Sequence, residues 1–569
     1  MKKSAVVLAT MILILAVAGC ATYTPPYVEL PGNANAQLPT VAQDVPQRVA
    51  QMPRTVIDYD HSLLDANEQA VVGKLIDAAK VIDEIYWLQV SEKNRQWYED
   101  LASAAKVSPL HAAALDYFGI MKGPWDRLKA DEPFLLEAGP KPPGAAFYPP
   151  DMTKEEFENW IKAHPSDEAA FRGLFTVIRR KGDGLVAIPY SVYYHDLLTD
   201  AANKLREAAS MTRNATLADF LNKRADAFLT DDYFASDVAW MDLDSPIEVV
   251  IGPYEVYEDG IFNYKASFES FITAVDPQES AKLTVYAKHL PGMEMNLPEP
   301  EQYKNPNRGT DSPIRVVQEI YTAGDARSGV MTSAFNLPND EKVREAKGSK
   351  KVLLKNVMEA KYEKSGKPIA LLVLDPSQTD LISFDAYFNH TLFHELSHGL
   401  GPGIITGPDG KKVEARLLLK ELYSTIEECK ADVLGVWNIL YAMDQGLITS
   451  FTPDQLYATN AGLMFRSLRF GLAEAHGRGT AVQWNWYREK GAIEPAGNGR
   501  FRVDTSKMKE AVQSLATELL TIEATGDYAR AKSLLDKYGV STPEMEATIA
   551  RLKGIPVDIA PVFPAAGEK

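Results

Sequence analysis

The hydrophobic positions of this 569-residue chain sort into helix-like and strand-like stretches. Residues 55–130 read as helices. From Glu68 to Ile82 the apolar side chains recur with the 3.6 period that gathers them on one face. A proline-rich break at 139–150 follows, and Thr153 with Glu156 carries the signature of a capped helix start. Residues 190–235 read as helical again. Four β-rich runs come next: 247–251, 267–275, 314–320 and 369–374. Helix returns at 385–400, 415–445, 455–475 and 506–536, with Asp409-Gly410 marking a tight turn. No internal repeat is visible. The layout predicts an α+β, predominantly α-helical protein of two lobes with a substrate cleft between them. Residues 51–350 would form mainly the first, substrate-binding lobe, 351–545 the helical lobe and 546–569 a tail, with interleaved boundaries.

Candidate chemistry concentrates in the second lobe. His394-Glu395-Leu396-Ser397-His398 is an HExxH string inside a stretch that can be helical throughout. On a helix, residues i and i+4 share a face one turn apart, so both imidazoles can meet one zinc ion. Glu395 starts from the same turn and can act as a general base on water. Such a centre needs a third protein ligand. The stretch Ser424–Trp437 also reads as a helix, and its Glu428 can supply that ligand. Asp432, one turn on, can accept the outer N–H of a ligand histidine, and Glu427 is a further candidate for that task. His390 extends the histidine stripe, but the outer pair would stand about 12 Å apart along the axis, too far for one ion. The competing pair is His390 with His394; His394 with His398 is preferred, as the pair with the adjacent glutamate that a hydrolase needs, and His390 is expected to pack or hydrogen-bond near the site. Cys429 points away from Glu428 and is expected to pack.

At these residues the sequence resembles the dipeptidyl peptidase III family of zinc metallopeptidases. The motif Glu427-Glu428-Cys-Lys-Ala-Asp432 is similar to the family's second signature. The segment running through Glu255 and Tyr257 to Glu269 resembles the one that holds the substrate. There the resemblance implies Glu255 for the free amino terminus, Tyr257 for the scissile carbonyl and Glu269 as a substrate contact. Asn336-Leu-Pro-Asn339 is similar to an asparagine pair that binds peptide backbone. His476 matches a histidine proposed to stabilise the transition state. The motifs occur in family order between about 250 and 480. Two features depart from the better-known members: the zinc histidines have the shorter HExxH spacing, and Arg478 and Thr480 do not reproduce a basic residue after His476. The resemblance implies one Zn2+ per chain, oligopeptide substrates and release of dipeptides from the amino terminus. Two other readings compete: a different HExxH aminopeptidase or endopeptidase, and a peptide-binding lipoprotein that no longer cleaves.

The amino terminus adds a location. Lys2 and Lys3 precede an apolar stretch, Ala5–Ala18, too short to span a bilayer comfortably. It ends in small residues before Cys20 and resembles a bacterial lipobox. Residues 1–19 are thus read as a lipoprotein signal peptide, Cys20 as the lipidated residue and 20–50 as a tether. Acyl chains would anchor the protein to a membrane without a spanning helix. Ala21 after the cysteine points to the outer membrane, hence a cell-envelope location. The net charge of −17 argues against nucleic-acid partners.

Overall fold

The computed structural model of the chain describes residues 38–306, 314–407 and 410–569. The leader, Cys20, the first part of the tether and Asp409 of the expected turn lie outside them.

The first lobe is built on helix α1, Ala66–Val90. Its start is fixed reciprocally: the Asp65 carboxylate accepts from the N–H groups of Asn67 and Glu68, and Glu68 accepts from Asp65 N–H at 2.7 Å. Donors that the first turn would orphan are thereby satisfied. Val71, Leu75, Ile82 and Ile85 line its buried face, against α2 (His195–Met211) and the sheet, with α3 (Ala215–Thr230) beyond α2.

Five strands form the main sheet: β1 (Ile247–Glu255), β2 (Ser267–Val275), β3 (Ile314–Gly324), β4 (Ala334–Leu337) and β5 (Lys350–Leu354), in the order β1-β2-β3-β5-β4. Neighbours are antiparallel except β3 with β5. β4 and β5 go beyond the predicted runs; each is too short to show alternation. Their place matters, because β4 is an edge and β5 sits between the lobes. Side chains alternate across a strand: Val352 and Leu354 enter the first core and Leu353 the second. Lys351 shares the Leu353 face.

The second core gathers helices α4 (Lys367–Val373), α5 (Phe384–Ser397), α6 (Tyr423–Asp444), α7 (Pro453–Leu468), α8 (Ala475–Glu489) and α9 (Thr505–Thr525). Helix α4 corrects one expectation: residues 369–374 are not a strand. A short buried apolar run cannot be told from a helix by periodicity. Here the run continues a helical stretch that begins at Lys355 and passes through a π-turn at Tyr362–Gly366, and Ala370 packs beneath Gly462 of α7, where an added Cβ would come within 2.8 Å of Ala370 Cβ. The two cores give two lobes, and the chain's end returns to the first through Ile559 and Phe563.

Candidate active site

Helix α5 carries the HExxH string. Ser383 caps it by accepting from Ala386 N–H at 3.3 Å, and His398 at its far end keeps helical dihedrals, φ −58° and ψ −32°. The i, i+4 relation of His394 and His398 therefore survives to the helix terminus. Helix α6 lies against α5 at Gly435. A Cβ there would stand 3.2 Å from the His394 backbone nitrogen and 3.3 Å from His390 Cδ2. This close approach lets the carboxylates one and two turns earlier on α6 reach the histidines.

Those carboxylates orient both rings. His394 Nδ1 lies 2.7 Å from Asp432 Oδ1, and His398 Nδ1 lies 2.9 Å from Glu427 Oε1. An ionised carboxylate can only accept, so each Nδ1 donates and each Nε2 is left to face inward. The two Nε2 atoms are 3.1 Å apart. Glu428 Oε2 stands 3.3 Å from His394 Nε2 and 3.7 Å from His398 Nε2. It is buried without a hydrogen-bond partner. One donor atom from each of these three residues lies within 4.8 Å of the others. Two imidazoles whose outer nitrogens are already engaged, converging with a carboxylate oxygen, fit a divalent cation and suit zinc.

The electrostatics follow from burial and pairing. Burial opposes charge on His394, but the Asp432 carboxylate outweighs it and holds the pKa at about 10. A metal ion bound at Nε2 would displace that proton. Burial pushes Asp432 up, and His394 more than reverses it, leaving Asp432 well below the usual carboxylate range. Burial likewise raises Glu427, and Lys430 and His398 overcome it. His390 is held apart from the triad: it donates to the Asp432 carbonyl at 2.9 Å, and burial lowers its pKa.

Three contacts were not legible in the sequence. Lys351 on β5 places Nζ 2.9 Å from Glu395 Oε2 and 3.0 Å from the Glu395 carbonyl. Burial raises Glu395, but Lys351 and His394 prevail and hold it ionised. Gln483 on α8 donates to Asp432 Oδ2 at 3.0 Å. Tyr423 donates to Glu427 Oε2 at 3.2 Å. The only sequence signal for Lys351 is that it follows Lys350 in a strand, so the two lysines face opposite sides. Lys350 turns to buried Glu248.

His476, half-exposed near the start of α8, places Nδ1 3.3 Å from Glu428 Oε2. Cys429 is fully buried; at Gly479 of α8 a Cβ would stand 3.2 Å from Cys429 Cβ, so the thiol is packed. A cavity of about 340 Å³ opens beside the triad, lined by His394, Glu395, Asp432 and His476 among others.

The first-lobe residues form a second group. Asn339 Nδ2 donates to the Tyr254 carbonyl at 3.1 Å and to Glu255 Oε1 at 3.4 Å. Burial raises the pKa of Glu255. Glu269, across from Gly252 on β2, is buried, and burial with Glu255 and Asp325 nearby pushes its pKa well up. Asn336 is exposed on β4, opposite Lys351. Tyr257 is 78% exposed just past β1. None of these five lines the cavity beside the triad; Lys351 joins the sheet that carries them to Glu395.

The peptidase family M49 model matches residues 178–415. A solved dipeptidyl peptidase III from Caldithrix abyssi superposes with a TM-score of 0.87 at 54% identity, covering 91% of this chain and 98% of that one. The chain belongs to the dipeptidyl peptidase III family. A second family structure, from Corallococcus sp. strain EGB, gives a TM-score of 0.75 at 42% identity over 93% of this chain and 98% of that one. In sequence, an Arabidopsis thaliana protein called Nudix hydrolase 3 is 39% identical over 557 residues, which is 88% of this chain and 72% of the plant protein. As a family member the chain is a metallopeptidase that acts on peptides.

Proposed function

We propose that this metallopeptidase is a zinc-dependent exopeptidase that releases dipeptides from the amino terminus of peptides. One observation carries the reading: the inward Nε2 atoms of His394 and His398 and the orphaned Oε2 of Glu428 converge, next to an ionised Glu395. When bound, zinc supplies the Lewis acidity that lowers the pKa of water toward neutrality and polarises the scissile carbonyl. Glu395 takes the proton of the attacking water and returns it to the leaving amine. His476 faces Glu428 from the open side and serves as a donor to the developing oxyanion, a role typically worth about 3 kcal/mol. Tyr257 joins it only if the lobes close, since it now faces solvent.

The amino end of the peptide belongs at Glu255 and Asn339. An ammonium there would restore the charge on Glu255 that burial disfavours. From that clamp, an extended peptide can add to the free edge of β4, running opposite to it past Asn336. Lys351, the cross-strand partner of Asn336, holds the base at that same edge. Fixing the amino terminus at one point and the base at another sets how many residues precede the cut.

The test compares wild type with Glu395→Ala in metal analysis, dipeptidyl-naphthylamide hydrolysis and mass identification of peptide products. The expected result is one zinc per chain in both, dipeptide products from wild type, and activity reduced at least about a hundredfold in the variant. Single residues or internal fragments as products would favour a different zinc peptidase. Export and lipid on Cys20 belong to the same proposal, and comparing acyl labelling of wild type and Cys20→Ser checks them.

A further inference from the structure

The wall of the cavity beside the triad carries a cation that no other described residue pairs with. Arg466 on α7 is the one arginine or lysine among the described residues lining it. Its charged neighbours are already satisfied. Lys361 is paired with Asp558 at 3.0 Å, and Arg469 donates to the carbonyls of Ile555 and Pro556. Arg466 is half-buried, and among the described residues no carboxylate lies within salt-bridge distance and no acceptor takes its N–H groups. Glu474, on the same wall, does not pair with it. The Arg466 guanidinium donors therefore face the solvent of the cavity, where a bound anion can take them.

The direction of the bound chain says which part of a substrate arrives there. The clamp at Asn339 lies past one end of β4. Ser333, just before the other end, lines the cavity, and Asn339 does not. A peptide clamped by its amino terminus therefore sends the residues beyond the cut toward the Ser333 end and into the cavity. The positions after His476 bring no charge to this place: Thr480 lines the cavity with a hydroxyl, and Arg478 turns to the Gly539 carbonyl at 3.4 Å.

We propose that Arg466 receives a substrate carboxylate on the leaving-group side of the scissile bond, so that the enzyme favours peptides presenting one there. The inference rests on the dipeptide-releasing reading above. A planar guanidinium takes a carboxylate in two parallel hydrogen bonds. The carboxylate has two sources: the free carboxyl terminus of a short oligopeptide, or an acidic side chain in a longer one.

The test is a ratio. Alanine peptides of three to six residues are cleaved as free acids and as terminal amides, and a longer amidated peptide is compared with Glu or Gln after the cut. Wild type should show a kcat/KM roughly tenfold higher for the carboxylate form of at least one pair, as expected for a hydrogen-bonded charge. A preference peaking at one length marks the carboxyl terminus, and a Glu-over-Gln preference marks the side chain. In Arg466→Met the ratio should fall to about one, and Arg466→Lys should keep part of it. Wild type indifferent to both pairs, or Arg466→Met retaining the wild-type ratio, would overturn the assignment while leaving dipeptide release standing. The wild-type ratio decides even if a variant fails to fold. If wild type releases no dipeptides from any peptide, this inference and the reading beneath it fall together.

Discussion

Replacing Gly435 by alanine tests whether the metal centre depends on how closely α6 approaches α5. The new Cβ would stand 3.2 Å from His394 N, 3.3 Å from His390 Cδ2 and 3.4 Å from His390 O, where ordinary contact begins at 3.4 Å. Two of the three contacts involve backbone, so the helices must part by a few tenths of an ångström. Alanine gains about 1 kcal/mol over glycine inside a helix, and overpacking costs about 1–3 kcal/mol. The fold should therefore lose no more than about 2 kcal/mol. The site is less tolerant. The 2.7 Å contact from Asp432 to His394 and the placement of Glu428 both ride on α6, one and two turns from the change. Loosening the partner of a ligand histidine typically costs about 10- to 100-fold in metal affinity or activity. The assay is zinc affinity by chelator competition, beside urea unfolding of the metal-free protein. Gly73→Ala in α1 is the control, because a Cβ there meets nothing within 4 Å; it should change stability by at most about 1 kcal/mol and leave zinc affinity alone. Unchanged zinc affinity in Gly435→Ala would refute the reasoning.

Two further outcomes follow from the same contacts. Lys351→Met frees Glu395 from its 2.9 Å ion pair; kcat should fall roughly tenfold to a hundredfold with KM within about twofold and zinc retained, and Lys351→Arg should recover part of the loss. Unaltered kcat in Lys351→Met would remove Lys351 from the mechanism. Glu319 is fully buried with neither carboxylate oxygen hydrogen-bonded, and burial, against Arg327 and Lys361, pushes its pKa from 4.5 to about 8. The folded state then holds a proton that the unfolded state releases between those values, so its contribution to stability is present below pH 4.5 and is lost as pH rises toward about 8. Glu319→Gln should flatten that slope in urea unfolding, and parallel curves for the two proteins would contradict it.

The candidate metal site was legible because two histidines one turn apart on a helix are a local feature. His394, Glu395 and His398 declare themselves within five positions, and Glu427, Glu428 and Asp432 within six. Spacing on a helix is geometry, so the rings and their carboxylate partners could be assigned before any fold was known. What the spacing could not reveal was which side chains arrive from elsewhere. Lys351 reaches Glu395 across 44 residues and Gln483 reaches Asp432 across 51. A lysine after a lysine, or a glutamine on a helix, looks the same on a solvated surface. The strand expected at 369–374 failed for a related reason: the room for this run to pack as α4 comes from Gly462 on a distant helix.

Helices and sheet divide the work by what each can hold. A helix fixes donors at a repeat of about 5.4 Å, the scale of one metal ion and its ligands. A sheet edge fixes main-chain partners along an extended line, the scale of a peptide. The proposed function needs both in register, and the join is one residue. Lys351 lies in the strand beside the edge and ends on the Glu395 carboxylate, next to His394. A change that shifts β5 by two residues would preserve which side chains face which core yet exchange Lys351 for Leu353 opposite Glu395. Hydrophobic packing alone would tolerate that slip. The 2.9 Å ion pair and the buried pairing of Lys350 with Glu248 would not, since both charges would lose their partners. The paired lysines therefore set the register of β5 between the edge strand and Glu395, and with it the alignment that the proposed peptide path requires.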